Sequence, residues 1–234
     1  MLKAGPTAGE AAGMSPRPPS SLKYPPWPPL RAGDLIGFSS FSLAGAAINL
    51  GTWGVPFSGL SHVAIIVPHP DLPRRLALCE STSQCDEPCL VAGKAVSGVQ
   101  WHEPASRIAG YRGRAWLYPL RRTLGPKDES RLARFCLSCT GVSYDAIGAL
   151  RARDLPLGWL ERRLGFWREN LHALFCSELC AAALRSAAVW DPPDVSGWSP
   201  NRLCRALLDI GVVSPPIRLH RKLAPLHLFV GPKP

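Results

Sequence analysis

The chain has 234 residues, 46% of them apolar, which suits one folded domain with irregular ends. Lys and Arg number 27 against 17 Asp and Glu, so the chain is basic. The basic residues are scattered and form no dense block with interleaved aromatics, so we expect a solvated basic surface and no nucleic-acid partner. No apolar run of about 18 residues occurs, which argues against a membrane-spanning helix.

Composition divides the chain into three parts. Residues 1–30 are rich in Pro, Gly, Ala and Ser and predict a disordered arm. Residues 31–214 carry the alternating and helical apolar patterns of a folded domain. Residues 215–234 predict a Pro-rich basic tail.

The folded part begins with β patterns and ends with helical ones. A Gly-Asp turn precedes the first strand, and β-branched residues stopped by a proline mark the second. The predicted strands are Leu35–Phe38, Ser61–Val67, Arg75–Cys79, Val99–His102 and Ala115–Tyr118. The predicted helices are residues 40–50, Asp128–Cys139, Trp159–Leu174, Cys176–Ala188 and Ser199–Ile210. Strands grouped before helices favour an α+β fold with a small antiparallel sheet packed against helices.

Eight cysteines are present, and the first thirty residues contain no apolar core of a signal peptide. We therefore expect a cytoplasmic protein in which most thiols are free. The pair Cys85 and Cys89, with Cys79 and His102 nearby, leaves a zinc site open, and the same pair permits a disulfide if the protein is exported. We favour no metal and no cofactor, since the spacing is a weak motif.

Three residues have the types that a thiol hydrolase needs. Cys176 opens a predicted helix, where the helix N-terminus favours a thiolate and offers backbone N–H groups to an oxyanion. His62 starts a strand after a Gly-rich loop, and Glu80 ends the next strand, where antiparallel pairing can bring the carboxylate beside the imidazole. The residues alone leave three structural alternatives open: a core cysteine, a structural histidine and a solvated glutamate.

Five segments in order resemble the circularly permuted NlpC-type papain-like superfamily, closest to its YiiX-like bacterial branch and more distantly to the lecithin retinol acyltransferase-like group. The segments are Gly33–Ile36, Leu60–Val67, Cys79–Thr82, Gly141–Asp145 and Phe175–Cys180. Together they span roughly residues 31–210.

The resemblance implies that residues 31–214 are a permuted papain-like catalytic domain. It implies His62 as base, Glu80 as third member and Cys176 as nucleophile of a peptidase or amidase that forms a thioacyl intermediate. By the same resemblance Tyr144 lies near the cleft, where its hydroxyl would hold substrate or an oxyanion; a core or turn tyrosine is the equal alternative. Ser61, next to His62, and Ser177, next to Cys176, are further candidates for substrate contact. The expected partner is a peptide, isopeptide or acyl-bearing substrate.

Two other functions stay open at this point. A lipid acyltransferase or phospholipase on the same fold would use the basic surface and the apolar segment Phe41–Leu50 for contact with a membrane surface. A non-catalytic binding module would keep the fold without the chemistry.

Overall fold

The computed structural model has an α+β fold. The described part of the chain contains six strands and four helices. The strands are β1 Leu35–Ser40, β2 His62–Pro68, β3 Leu76–Thr82, β4 Gly98–His102, β5 Gly113–Tyr118 and β6 Ile217–Leu219. The helices are α1 Pro104–Gly110, α2 Pro126–Ser138, α3 Arg168–Ser186 and α4 Pro200–Asp209. The described residues are 26–40, 59–72, 74–82, 85, 87–142, 168–192, 195 and 198–221, with backbone alone for 168–175.

The six strands form one antiparallel sheet in the order β4-β3-β2-β1-β5-β6. Ile66 pairs with Leu78 between β2 and β3, and Leu78 pairs with His102 between β3 and β4. Because successive residues of a strand point to opposite faces, this register fixes which side chains of neighbouring strands meet. The antiparallel sheet of the sequence-based prediction is confirmed.

The sheet carries an apolar core on each face. The helices α2, α3 and α4 cover the first core, and the short helix α1 packs against the second. The first core includes Leu35, Val63, Ile65, Val67, Cys79, Trp101, Leu132, Cys180 and Leu203. The second core includes Trp27, Ile36, Phe38, Ala64, Ile66, Leu78, Ala105, Ile108 and Leu219. Strands β2 and β3 are interior strands that are buried on both faces, which explains the almost continuous apolar sequence of β2.

The Gly33-Asp34 turn fixes the start of β1. Gly33 has φ 92°, a left-handed value that favours glycine, and a Cβ there would lie 2.8 Å from Leu120 Cδ2. The buried Asp34 carboxylate accepts hydrogen bonds from the backbone N–H groups of Arg31 (2.8 Å) and Leu120 (2.7 Å). The motif therefore ties the entry of β1 to the end of β5.

Three elements differ from the predictions. Helix α3 begins at Arg168 and passes through Cys176 without a break, so the predicted helix start at Cys176 is wrong. Helix α1 was not predicted; Pro104 occupies its first turn, and the Glu103 side chain accepts from the Ser106 N–H at 2.7 Å. Strand β6 lies inside the segment predicted as a tail and pairs with β5.

Several predictions fall outside the described residues. These are the helix at 40–50 and most of the one at Trp159–Leu174, the membrane-contact segment Phe41–Leu50, most of the arm 1–30, and Tyr144. All eight cysteines are described and all are free thiols, so no disulfide joins Cys85 to Cys89. Within the described ranges, none of the helices combines the length and apolar character that crossing a bilayer requires.

Candidate active site

His62 and Glu80 meet on one face of the central strands. Continuing the register of β2 and β3 places Glu80 opposite Ala64, so His62 is its diagonal neighbour on the same face. The His62 Nε2 atom lies 2.6 Å from Glu80 Oε2, a short charge-assisted contact. Glu80 is fully buried, whereas the His62 side chain keeps 13% of its surface exposed. The pairing expected from the order of the strands is therefore present.

Cys176 completes the contact on the other side of the imidazole. The Cys176 sulfur forms a hydrogen bond with the His62 ring. Since Nε2 faces Glu80, Nδ1 is the nitrogen that remains for the sulfur. Cys176 is fully buried and belongs to the first core, whereas His62 is the first residue of β2. The structure thus brings the three predicted catalytic side chains into one chain of contacts.

The electrostatics of the site favour a positively charged His62 ring paired with an ionised Glu80 carboxylate. Burial lowers the pKa of His62, but the charge of Cys176, its hydrogen bond and the Glu80 carboxylate outweigh burial and raise the pKa to about 9. Burial raises the pKa of Glu80, but its hydrogen bond to His62, the His62 charge and the Arg107 charge lower it to about 2. At neutral pH the imidazole is therefore charged and the carboxylate ionised.

Arg107, on α1, holds the opposite side of Glu80. Its Nε donates to Oε1 at 2.5 Å and its Nη2 donates to Oε2 at 3.2 Å, a two-point contact that fixes the carboxylate plane. The guanidinium also lies over the Phe38 and Tyr111 rings, at 5.6 and 5.5 Å from their centroids. Arg107 was not predicted, and the available signal was Pro104 after an acidic residue, which marks a helix start.

The continuous helix α3 changes how an oxyanion can be stabilised. Cys176 lies eight residues after the first residue of α3, so its backbone N–H points along the helix to the carbonyl four residues earlier. The expected oxyanion donors at a helix start are therefore wrong, because N–H groups inside a helix are already paired. The charged His62 ring remains as the described positive group beside the sulfur.

The candidates for substrate contact have structural partners. Ser61 Oγ accepts from the Ser40 N–H (3.1 Å), donates to Phe38 O (3.4 Å) and lies 3.5 Å from the Tyr111 hydroxyl. Ser177 Oγ donates to the carbonyl of Trp198, just before α4. Substrate contact by Ser61 and Ser177 stays a prediction, and Tyr144 lies outside the described residues. Tyr111, which the sequence did not single out, is half-buried and brings its hydroxyl within 3.5 Å of Ser61 Oγ.

A second cluster shares Glu80 with the first. Candidate ligand atoms of Glu80, Cys85 and His102 lie within 4.8 Å of one another, and all three residues are buried. However, the Arg107 guanidinium contacts both Glu80 oxygens and fills the place of a cation, so a dication there would meet a buried positive charge. The alternative zinc set changes as well, because Cys79 faces the first core and Cys89 accepts from the Trp101 N–H at 3.3 Å.

Other buried thiols lie near Cys176 but lack a basic partner. Burial raises the pKa of Cys79, Cys180 and Cys204, so these thiols stay protonated at neutral pH. Cys204, on α4, belongs to the same first core as Cys176. It is therefore a matched internal control for the reactivity of Cys176.

Comparison with known proteins finds a similarity at the level of structure. No family model matches the sequence, and no curated protein matches it. The chain is similar to the crystal structure of metalloprotein yiiX from Escherichia coli O157:H7, DUF1105, at 19% identity over 81% of this chain and 96% of that chain, with a TM-score of 0.43. Similarity at this level assigns neither activity nor metal to this chain, so the catalytic hypothesis depends on the site itself.

Proposed function

We propose that the chain is a cysteine hydrolase in which Cys176 is the nucleophile, His62 the acid–base group and Glu80 the residue that orients the imidazole. The observation that carries the proposal is the position of the His62 ring, which contacts Glu80 Oε2 at 2.6 Å and the Cys176 sulfur on its other side. A nucleophile, a base and an orienting carboxylate in this order are the parts of a catalytic triad.

The proposed reaction is acyl transfer to the thiol. His62 takes the thiol proton, the sulfur attacks the carbonyl carbon of an amide or isopeptide, and a C–S bond forms. The C–N bond then breaks, and His62 gives its proton to the leaving amine. Water loses a proton to His62, and its oxygen attacks the thioacyl carbon. The C–S bond then breaks, the acid is released, and His62 returns the proton to the sulfur to restore the thiol.

The His62 electrostatics support this cycle. A pKa of about 9 lets the ring hold the proton that it takes from the thiol until it gives that proton to the leaving amine. Glu80 stabilises that charge and fixes the tautomer, since its Oε2 contacts Nε2 and leaves Nδ1 for sulfur. A charged ring beside the sulfur also stabilises the negative oxygen of the tetrahedral intermediate.

The proposal extends to the fold family. In chain order the base and the acidic residue, on β2 and β3, precede the nucleophile on α3. This is the order that a circularly permuted papain-like fold of the NlpC type requires. The α+β architecture and the antiparallel sheet are compatible with that fold.

The test compares the reactivity of two buried thiols in the same core. Wild-type protein is treated with iodoacetamide at pH 7.5, and the modified cysteines are quantified by peptide mass spectrometry. We expect Cys176 to react at least tenfold faster than Cys204, and the His62→Ala variant to lose that preference, because only Cys176 has an imidazole partner. Equal rates at the two thiols, or no effect of His62→Ala, would exclude the enzyme and leave a binding module.

A substrate panel then separates the hydrolase from the lipid enzyme. Quenched peptide and isopeptide substrates are compared with anionic phospholipid vesicles, with Cys176→Ser as the inactive control. Turnover of the amide substrates that Cys176→Ser abolishes supports the peptidase or amidase assignment. Turnover of phospholipid alone would replace it with an acyltransferase or phospholipase.

A further inference from the structure

Glu80 lies between two imidazoles that the sheet places symmetrically around it. His62 on β2 and His102 on β4 are both diagonal neighbours of Glu80, because Glu80 faces Ala64 on one side and Gln100 on the other. The His62 Nε2 atom is 2.6 Å from Oε2, whereas the His102 Nε2 atom is 3.5 Å from Oε1. One carboxylate is thus within reach of two rings but binds only one of them closely.

Arg107 accounts for this asymmetry. The Arg107 Nε atom donates to Oε1, the oxygen on the side of His102, at 2.5 Å. The Arg107 Nη2 atom donates at 3.2 Å to Oε2, the oxygen that His62 also contacts. Only 7% of the Arg107 surface is exposed, and its guanidinium packs over two aromatic rings. Moving the guanidinium away from Oε1 would therefore cost free energy. Oε1 is therefore occupied on the side from which His102 would approach.

Gln100 gives His102 a different partner. Its amide nitrogen donates to the Thr82 carbonyl at 2.8 Å, which turns its Oε1 toward His102 Nε2 at 3.0 Å. An amide oxygen only accepts, so His102 Nε2 carries the hydrogen in this contact. The His102 Nδ1 atom lies 4.0 Å from Glu87 Oε2, and a backbone hydrogen bond to Pro88 raises the pKa of His102. Burial is the larger effect and lowers the pKa of His102 below its usual range, which fits a neutral ring.

We propose that Arg107 is a positioning residue that commits Glu80 to His62 and keeps His102 from competing for the same carboxylate. The inference rests on the proposed function, since the hydrogen bond of Glu80 to His62 affects catalysis only if His62 is the acid–base group for Cys176. It assigns α1 a task in the site beyond covering the second core. It also assigns His102 the place of a buried, uncharged neighbour rather than a second base.

The surrounding charges are consistent with this role. The titratable groups that interact with Glu80 come from each element packed here: His62, His102, Arg107, Cys85, Glu87, Tyr111 and Cys180. Burial lowers the pKa of His102 most, and the Arg107 charge lowers it further, whereas the Glu80 charge and a backbone hydrogen bond to Pro88 raise it. With Arg107 removed, its repulsion of a charged His102 disappears and Glu80 Oε1 becomes available, so His102 can accept a proton and donate a hydrogen bond to that oxygen.

The test uses Arg107→Met, which keeps a long apolar stem and removes the charge. Nitrogen-15 NMR of the imidazole rings at pH 7.5 reports protonation, and iodoacetamide reports the rate at Cys176. We expect His102 to become charged and the pKa of His62 to fall by about one unit. The Cys176 rate at pH 8.5 should then fall about threefold, the change in the charged fraction of an imidazole whose pKa moves from about 9 to about 8. Adding His102→Phe should restore most of the rate by removing the competitor, an effect that a purely structural role would not produce. Arg131→Met, at an exposed arginine of α2, is the control and should change neither signal.

Each outcome decides the inference. Unchanged ring signals in Arg107→Met, or a double variant no faster than Arg107→Met, would overturn it. If Arg107→Met does not fold, two measurements remain: His102 must be neutral in the wild type at pH 7.5, and His102→Phe alone must react at the wild-type rate. A charged His102 or a slow His102→Phe overturns the inference. Failure of the proposed function looks different, because Cys176 would then react no faster than Cys204 in the wild type while the ring signals still followed Arg107.

Discussion

Replacing Cys176 with Ser should move the titration of His62 more than any other conservative change in the core. Among the effects that raise the pKa of His62, the negative charge on Cys176 is the largest, and a serine hydroxyl of similar size carries no charge below pH 10. The rise from 6.5 to about 9 corresponds to about 3 kcal/mol at 1.36 kcal/mol per pKa unit. Two opposite charges about 4 Å apart interact by about 4 kcal/mol at an effective dielectric constant of 20, so one such contact is large enough to produce the shift.

The measurement is an imidazole NMR titration from pH 5 to pH 10, with His62 assigned from the His62→Asn variant. We expect a pKa near 9 in the wild type and a decrease of at least about 1 unit in Cys176→Ser, since burial and Glu80 then act alone. Cys204→Ser is the matched control, because Cys204 is a buried thiol of the same core. A His62 pKa that is unchanged in Cys176→Ser would refute the contact between sulfur and imidazole.

Three further predictions concern the carboxylate, the first turn and metal ions. Glu80→Gln should destabilise the protein by about 3–5 kcal/mol at pH 7, because Arg107 loses its buried partner. The pKa of Glu80 is lowered to about 2, so its ionisation stabilises the fold above about pH 4.5, and this stabilisation is lost as the pH falls toward 2. In urea unfolding, the difference in unfolding free energy between wild type and Glu80→Gln should therefore decrease over that interval. A constant difference would contradict the stabilising role of the ionised carboxylate. Gly33→Ala should cost about 1–3 kcal/mol in the same assay, because alanine disfavours φ 92° and its Cβ would approach Leu120; a loss below about 0.5 kcal/mol would contradict the turn. Dialysis against EDTA should leave the alkylation rate of Cys176 unchanged, because Arg107 supplies the positive charge beside Glu80; a loss that Zn²⁺ restores would contradict this.

The strand pattern could be predicted from the sequence, because strands buried on both faces have a strong apolar and β-branched signal. The run Val63–Val67 is an example, and its antiparallel pairing with the next strand brought His62 and Glu80 together. Adjacent strands in sequence are usually adjacent in a sheet, so this half of the site follows from local information.

The rest of the site depends on tertiary packing. Helix α1 has seven residues, too few for a helical periodicity to be recognised, so Arg107 gave no sign of facing Glu80. The residues before Cys176 carry no capping signal that separates two helices, and α3 runs through them. Strand β6 has three residues directly after Pro215 and Pro216, which is compatible only with an edge strand and reads as a tail.

The central claim is that Cys176 forms a thioacyl intermediate with the help of His62. The most direct measurement is to mix the protein with an activated short-chain ester, quench in acid within seconds, and locate the acyl group by peptide mass spectrometry. We predict the acyl mass on the peptide that contains Cys176 in the wild type, its absence in Cys176→Ser, and a strong decrease in His62→Ala. An acyl group that is absent from Cys176, or spread equally over Cys176 and Cys204, would contradict the claim.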